Sequence, residues 1–270
     1  MVFFKKIYED FLKASRLNQY KKLLQNAKNK GYKMMGILDF YNHISNNNQI
    51  IDKILINRHD IDTSPKTARK MFEIEKSVYG NLGSSTFYFR DKTTDLKLIN
   101  DIENFGYETG YHYETISNYD KKNYLGKVDL LKDKFNDIEE EFEKEFESYK
   151  RKTKTESLTI SSHGDFVNVF LNFQNYELLK NNIELRKRNN IVVEAYDECI
   201  NKYVEKRFAD QVLIEKFCDT VNQNLDCNVV LILTHPRQWK KDILWNIKDN
   251  IIRIIEGIKY KNGIKRKRKQ

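Results

Sequence analysis

The stretch ILINRHDIDTSPKTARKMFEIEKSVY, Ile54–Tyr79, decides the fold class. Ile54–Asn57 is a short apolar run of the length and type that forms a buried strand. Thr63, Ser64 and Pro65 then supply a helix cap and a first-turn proline, whose missing N–H would be unpaired there in any case. Lys66–Tyr79 continues with helical character. Between strand and helix stand His59, Asp60 and Asp62. Strand, polar connection and capped helix make up the unit that parallel α/β proteins repeat.

The unit recurs on both sides of this stretch. Ser85–Phe89 (STFYF) reads as a strand, Leu96–Phe105 as a helix and Glu108–Tyr113 as another strand edge. The longest helical pattern is Tyr124–Tyr149, where Val128, Leu131, Phe135, Ile138, Phe142 and Phe146 are spaced by three or four. Leu158–Ser161 and Ile191–Ala195 are strand-like, Phe208–Val221 helical, Val229–Leu233 (VVLIL) the most strongly apolar strand, and Lys240–Ile255 a closing helix. Toward the start, Phe4–Lys30 has helical periodicity with Ile7, Phe11 and Leu12 on one face. The alternation predicts an α/β protein with mostly parallel strands, either a barrel or a doubly wound sheet. No Pro-, Gly- or Ser-rich linker interrupts it. One domain over residues 1–263 is therefore expected, with the N-terminal helix outside the barrel and 264–270 a basic, disordered tail.

Composition narrows the class further. A hydrophobic fraction of 40% in 270 residues is enough for a sizeable core, and 16 Phe with 16 Tyr argue against disorder. The mean hydropathy of −0.72 reflects a very polar surface. Cys199, Cys218 and Cys227 form neither a disulfide framework nor a close metal pair. No apolar run approaches the roughly 18–20 residues that cross a bilayer, and the start, MVFFKKIYEDFLKASR, does not read as a signal peptide. A reduced, cytoplasmic protein is the expectation. The formal charge is +9, but Lys265, Arg266, Lys267, Arg268 and Lys269 contribute five of it. A nucleic-acid partner is therefore not expected, and weak contact of the basic tail with an anionic surface is the most this charge suggests.

The histidines carry the functional signal. His59, His112, His163 and His235 each sit at or just after a strand pattern, and Asp60 and Asp62 follow the same strand as His59. In parallel α/β folds the C-terminal strand ends share one face, where active sites are built. His43, in the polar YNHISNNN, stands apart. Two histidines with one carboxylate are a common set for zinc or another divalent first-row metal with open positions. Such a metal lowers the pKa of bound water from 15.7 to about 7 and polarises a carbonyl. A second carboxylate can then act as base and a further histidine as acid. The chemistry suggested is metal-assisted hydrolysis of an amide or ester.

RHDIDTSPKTARKMFEIEK (Arg58–Lys76), STFYFR (Ser85–Arg90), ETGYHYE (Glu108–Glu114), SSHGD (Ser161–Asp165) and LTHPRQW (Leu233–Trp239), in this order, resemble the polysaccharide deacetylase superfamily. That superfamily is also called NodB-homology or carbohydrate esterase family 4, and the likeness is to its branch with a His-Asp-x-Asp first motif. The resemblance implies a distorted (β/α) barrel of about seven parallel strands and an N- or O-deacetylase of glycans that uses a divalent metal, usually zinc. By position, Asp60 matches the catalytic base, Asp62 the metal-binding carboxylate, His112 the first histidine of the second motif and His235 the general acid. The second motif's further ligand histidine is replaced by Ile116, and the third-motif Arg-x-Pro-Tyr is absent. His163 is the choice for the missing ligand, with Gly164 letting the chain approach; His59 and Glu114 are weaker choices, since alternation points His59 to the opposite face. Arg58, Arg90 and Arg237 are candidates to orient Asp60 or bind substrate, Glu194 to hold the tautomer of His235, and Tyr113 and Trp239 to stack on a sugar. The expected partner is an acetylated glycan or sugar precursor. The alternative is a glycan-binding or structural relative without catalysis, for which the replaced second-motif histidine is the motive.

Overall fold

The protein is described by a computed structural model over residues 11–46, 52–210 and 214–267. The part of the expected first helix before Phe11 lies outside these residues; what remains of it is the helix Leu17–Asn29. Among the described residues eight strands follow in chain order: β1 Lys33–Met35, β2 Ile54–Ile61, β3 Thr86–Phe89, β4 Glu108–Tyr113, β5 Thr159–Ser162, β6 Val193–Glu194, β7 Lys206–Ala209 and β8 Val229–Thr234. All pairings are parallel, in the order β6-β5-β4-β3-β2-β8-β7. β1 pairs the first half of β2, Lys33 with Ile54, along the edge that β3 takes over from Arg58 onward. Seven parallel strands thus form a curled half-barrel with helices around it, and among the described residues no pairing joins β6 to β7. The expected α/β barrel of about seven strands is the architecture found.

Strand alternation divides β2 between two cores. Leu55 and Ile61 point outward with Phe87, Phe89, Val230 and Ile232, packing under the helices. Ile54 and Ile56 point inward with Tyr88, Val193, Val229 and Leu231, and Ile37 and Phe40 of the helix Ile37–Asn46 close this interior. That plug sits at the N-terminal end of the sheet, where Glu108, at the start of β4, accepts the backbone N–H groups of Leu38 and Asp39. The C-terminal ends remain open for polar groups.

Several elements differ from the sequence expectation. β2 runs to Ile61, beyond Asn57, with Arg58, His59 and Asp60 all buried. The long helix over 124–149 is instead two helices, Val128–Lys132 and Phe135–Thr153, and a separate helix, Thr115–Asn123, precedes them. Tyr124 (φ 51°) and Gly126 (φ 62°) adopt left-handed conformations that stop Thr115–Asn123 and separate it from the next helix. Phe208 belongs to β7, and the next helix starts at Ile214. The closing helix is Ile243–Lys267, so the order expected to end at residue 263 continues to Lys267. Tyr260 and Ile264 are buried against Val167, and Lys267 Nζ donates to the Asn123 carbonyl 2.6 Å away. At Gly110 in β4 the backbones approach closely, since a Cβ there would lie 2.3 Å from the Thr159 carbonyl oxygen.

Candidate metal centre

The alternation that sends Ile54 and Ile56 inward continues along β2 and its exit, placing Arg58, Asp60 and Asp62 on the interior side at the open end. The same rule on β4 places His112 two residues past Gly110. On β5 it places Ser161 beside Arg58, with His163 just after the strand. Residues from three strands converge there.

Asp62 Oδ1 lies 3.3 Å from His112 Nε2 and 3.3 Å from His163 Nε2. The three ligand atoms are within 4.8 Å of one another. Asp62 Oδ1 is nevertheless buried without a hydrogen bond, so the rings are not aligned on it as donors. Two ligands about 2.0–2.1 Å from a tetrahedral ion stand about 3.3 Å apart, and the two separations from Asp62 Oδ1 match that requirement. Expected ligands Asp62, His112 and His163 are the group brought together.

The tautomer of His112 also suits a cation. His112 Nδ1 is 3.0 Å from the Ser161 carbonyl oxygen, which can only accept, so Nδ1 carries the hydrogen and Nε2 keeps its lone pair. His163 turns Nδ1 to Glu114 Oε2, 3.2 Å away, and Arg90 Nη2 grips Glu114 Oε1 at 2.6 Å. Glu114 thus stands behind His163. Burial opposes the charge on Asp62, but His163 and His112 hold its carboxyl well below the usual range. Burial likewise opposes a charged His163, yet Asp62, with Glu114, outweighs burial and Arg90 and raises its pKa.

Asp60 is clamped by Arg58, with Nε on Oδ1 at 2.8 Å and Nη2 on Oδ2 at 2.7 Å. Arg58 lies over the Tyr196 ring, 4.4 Å from its centroid. Burial raises the cost of ionising Asp60, and Arg58, then His112, more than offset it, leaving the pKa lowered. Asp60 Oδ2 is 3.6 Å from His112 Nε2, on the edge of the cluster.

His235 follows β8. Its Nδ1 donates to Asp210 Oδ1 at 2.7 Å, and Asp210 Oδ2 accepts the His235 backbone N–H at 2.7 Å and Trp239 Nε1 at 2.9 Å. Burial works against the imidazolium, but Asp210, aided by Asp62 and Asp60, pushes the pKa up to about 10. The raised pKa favours the imidazolium at neutral pH, with Nδ1–H committed to Asp210.

Other expected residues are placed differently. Glu194 does not hold His235: it accepts the Ser162 backbone N–H at 2.9 Å, and burial raises its pKa to about 7. Trp239 and Tyr113 are fully buried and present no face to a sugar; Trp239 supports Asp210 and Tyr113 packs on Phe142. Arg58 orients Asp60, Arg90 orients Glu114, and Arg237 pairs with Asp249 at 2.8 Å. His59 points outward, as alternation predicts, to Glu75 and Thr234 at 2.6 Å each. Asp210 is not among the expected site residues because it falls inside the helix expected over Phe208–Val221; Lys206–Ala209 is instead a strand, and Asp210 stands at its end beside the others.

Compared with known family profiles, curated proteins and solved structures, the chain matches none. The half-barrel and the Asp/His/His group are compatible with a NodB-like fold.

Proposed function

We propose that the protein is a metal-dependent hydrolase that removes acetyl groups, N- or O-linked, from a glycan or glycan precursor, with zinc as the metal. The observation that supports this most is the Asp/His/His cluster with Asp60 at its edge, 3.6 Å from His112 Nε2, and His235 held by Asp210 at the same end of the sheet. Asp62, His112 and His163 would hold the ion. Bound there, it would polarise the acetyl carbonyl and make a water acidic enough to attack near neutral pH.

The chain's own groups do the rest. Asp60, kept ionised and fixed by Arg58, accepts the proton of the attacking water. His235 gives the proton on Nε2 to the departing amine or hydroxyl, while Asp210 carries the compensating negative charge. Asp60 and His235 must begin in opposite protonation states, and their surroundings set them so. Assembly of a third ligand from His163 supplies what Ile116 cannot, which favours an enzyme over a binding relative.

The test pairs elemental analysis with acetate release from a panel of N- and O-acetylated oligosaccharides. Asp60→Asn and His235→Ala are expected to retain metal and lose roughly 10²-fold or more of the rate. Near wild-type release by either variant removes that residue's role; a protein without metal affinity removes the reading as a whole.

A further inference from the structure

We propose that the helix Ile243–Lys267 docks the protein on an anionic lipid surface, lying in the plane of the interface. Leu244, Ile247, Ile251, Ile254, Ile255 and Ile258 are all exposed, Leu244 at 81% and Ile254 at 62%. At helical spacing these six fall within roughly 100° of arc. The stripe lies across from the packed face, where Asn246, Asp249, Tyr260 and Ile264 are buried. Asp249 pairs with Arg237 at 2.8 Å and with Lys92 at 3.3 Å, which follow β8 and β3. The helix therefore lies along the end of the sheet that carries the metal centre, with its apolar stripe turned outward.

Charge chooses the occupant. The helix holds seven bases and two acids, Asp249 and Glu256. Both acids are used on the packed side, Asp249 as above and Glu256 with Lys121 at 3.6 Å. Lys248 and Lys259 border the stripe, and Lys261, Lys265 and Arg266 continue it as an exposed basic end. A second copy pairing through the same helix would set these bases against like charges or isoleucines, with only Glu256, already held by Lys121, partly exposed to answer them. Lipid phosphates answer all of them while the acyl boundary accepts the isoleucines. No helix among the described residues is long and apolar enough to cross a membrane, which leaves the interfacial orientation. This inference stands independently of the chemistry at the metal centre.

The full chain is tested by co-sedimentation with vesicles of phosphatidylglycerol mixed with phosphatidylcholine, against phosphatidylcholine alone. Binding is expected to be at least about tenfold stronger to the anionic vesicles and to weaken as salt rises. Ile251→Asp with Ile258→Asp should lose it by at least about tenfold with unchanged circular dichroism and metal content, since both positions are exposed. Lys261→Glu with Lys265→Glu should lose the preference for anionic lipid. The proposal is overturned if wild type ignores anionic vesicles or if the isoleucine variant binds equally well. It is also overturned if that variant instead dissolves a dimer seen by sedimentation, or if binding appears only after residues 1–10 are deleted.

Discussion

Asp210 sets the working state of His235 from a position that contacts no other proposed catalytic group. Against burial, Asp210 and in smaller part Asp62 and Asp60 push the His235 pKa up to about 10. An ion on Asp62 would offset that smaller part, so the alkaline limb of activity should lie above the ordinary histidine value of about 6.5 and below about 10. Replacing the carboxylate by Asp210→Asn should bring the limb down toward the ordinary histidine value of about 6.5 and slow the reaction roughly 10²-fold at neutral pH. NMR titration of the His235 ring, alongside the pH–rate profile, checks both. A folded-state pKa above the unfolded one also makes the pair stabilising below about pH 6.5, with that contribution lost as pH climbs toward 10. Among the ligands, Asp62→Ala or His112→Ala should abolish metal binding measured by calorimetry, because each leaves two ligands of three. His163→Ala is the sharpest of these tests. Unchanged affinity in that variant would move the third position to another group.

At the scale of elements, Gly110 ties the ligands' geometry to the sheet. An alanine Cβ there would meet the Thr159 carbonyl at 2.3 Å and the Tyr88 ring at 2.7 Å, so β4 and β5 must part. Gly110→Ala is expected to cost about 1–3 kcal/mol in chemical denaturation. Metal affinity should fall by roughly 10–100-fold, because His112 and the Ser161 carbonyl that fixes its tautomer lie on those two strands. This level shows what the sequence can and cannot convey. VVLIL was legible as β8 because every residue is apolar, and ETGYHY coincides with β4. The second half of β2 was not, because Arg58, His59 and Asp60 are buried only by virtue of partners on other strands. Asp62 and His112 are ligands that the family resemblance implies, and only His163 is read from its place at a strand end. Asp210 stayed hidden because a four-residue strand with two basic side chains has no apolar period to read.

For the molecule as a whole, a ligand that binds only the folded chain must stabilise it. At a free zinc concentration a hundredfold above Kd the gain is about 2.7 kcal/mol, a rise in Tm of roughly 5–10 °C for a chain of this size. Scanning calorimetry with and without chelator reads it, and the Asp62→Ala protein should show no shift. On the outer face of the sheet, Glu75 accepts from Tyr20, Asn57, His59 and Ser85, joining the first described helix to β2 and β3. Glu75→Ala strands those buried donors and should cost about 3–5 kcal/mol, with the metal centre's ligands untouched.

The pairing of β2 with β8 also fixes an order of events during synthesis. His59 and Thr234 bond across 175 positions of chain. At about 5–20 residues per second, one edge of β2 waits roughly 10–35 seconds for its neighbour to leave the ribosome. During that interval an apolar strand bearing Asp60 has an open side, a natural place for a chaperone to act. A nascent chain halted before Val229 would already carry the proposed ligands Asp62, His112 and His163 but would lack His235, the proposed acid.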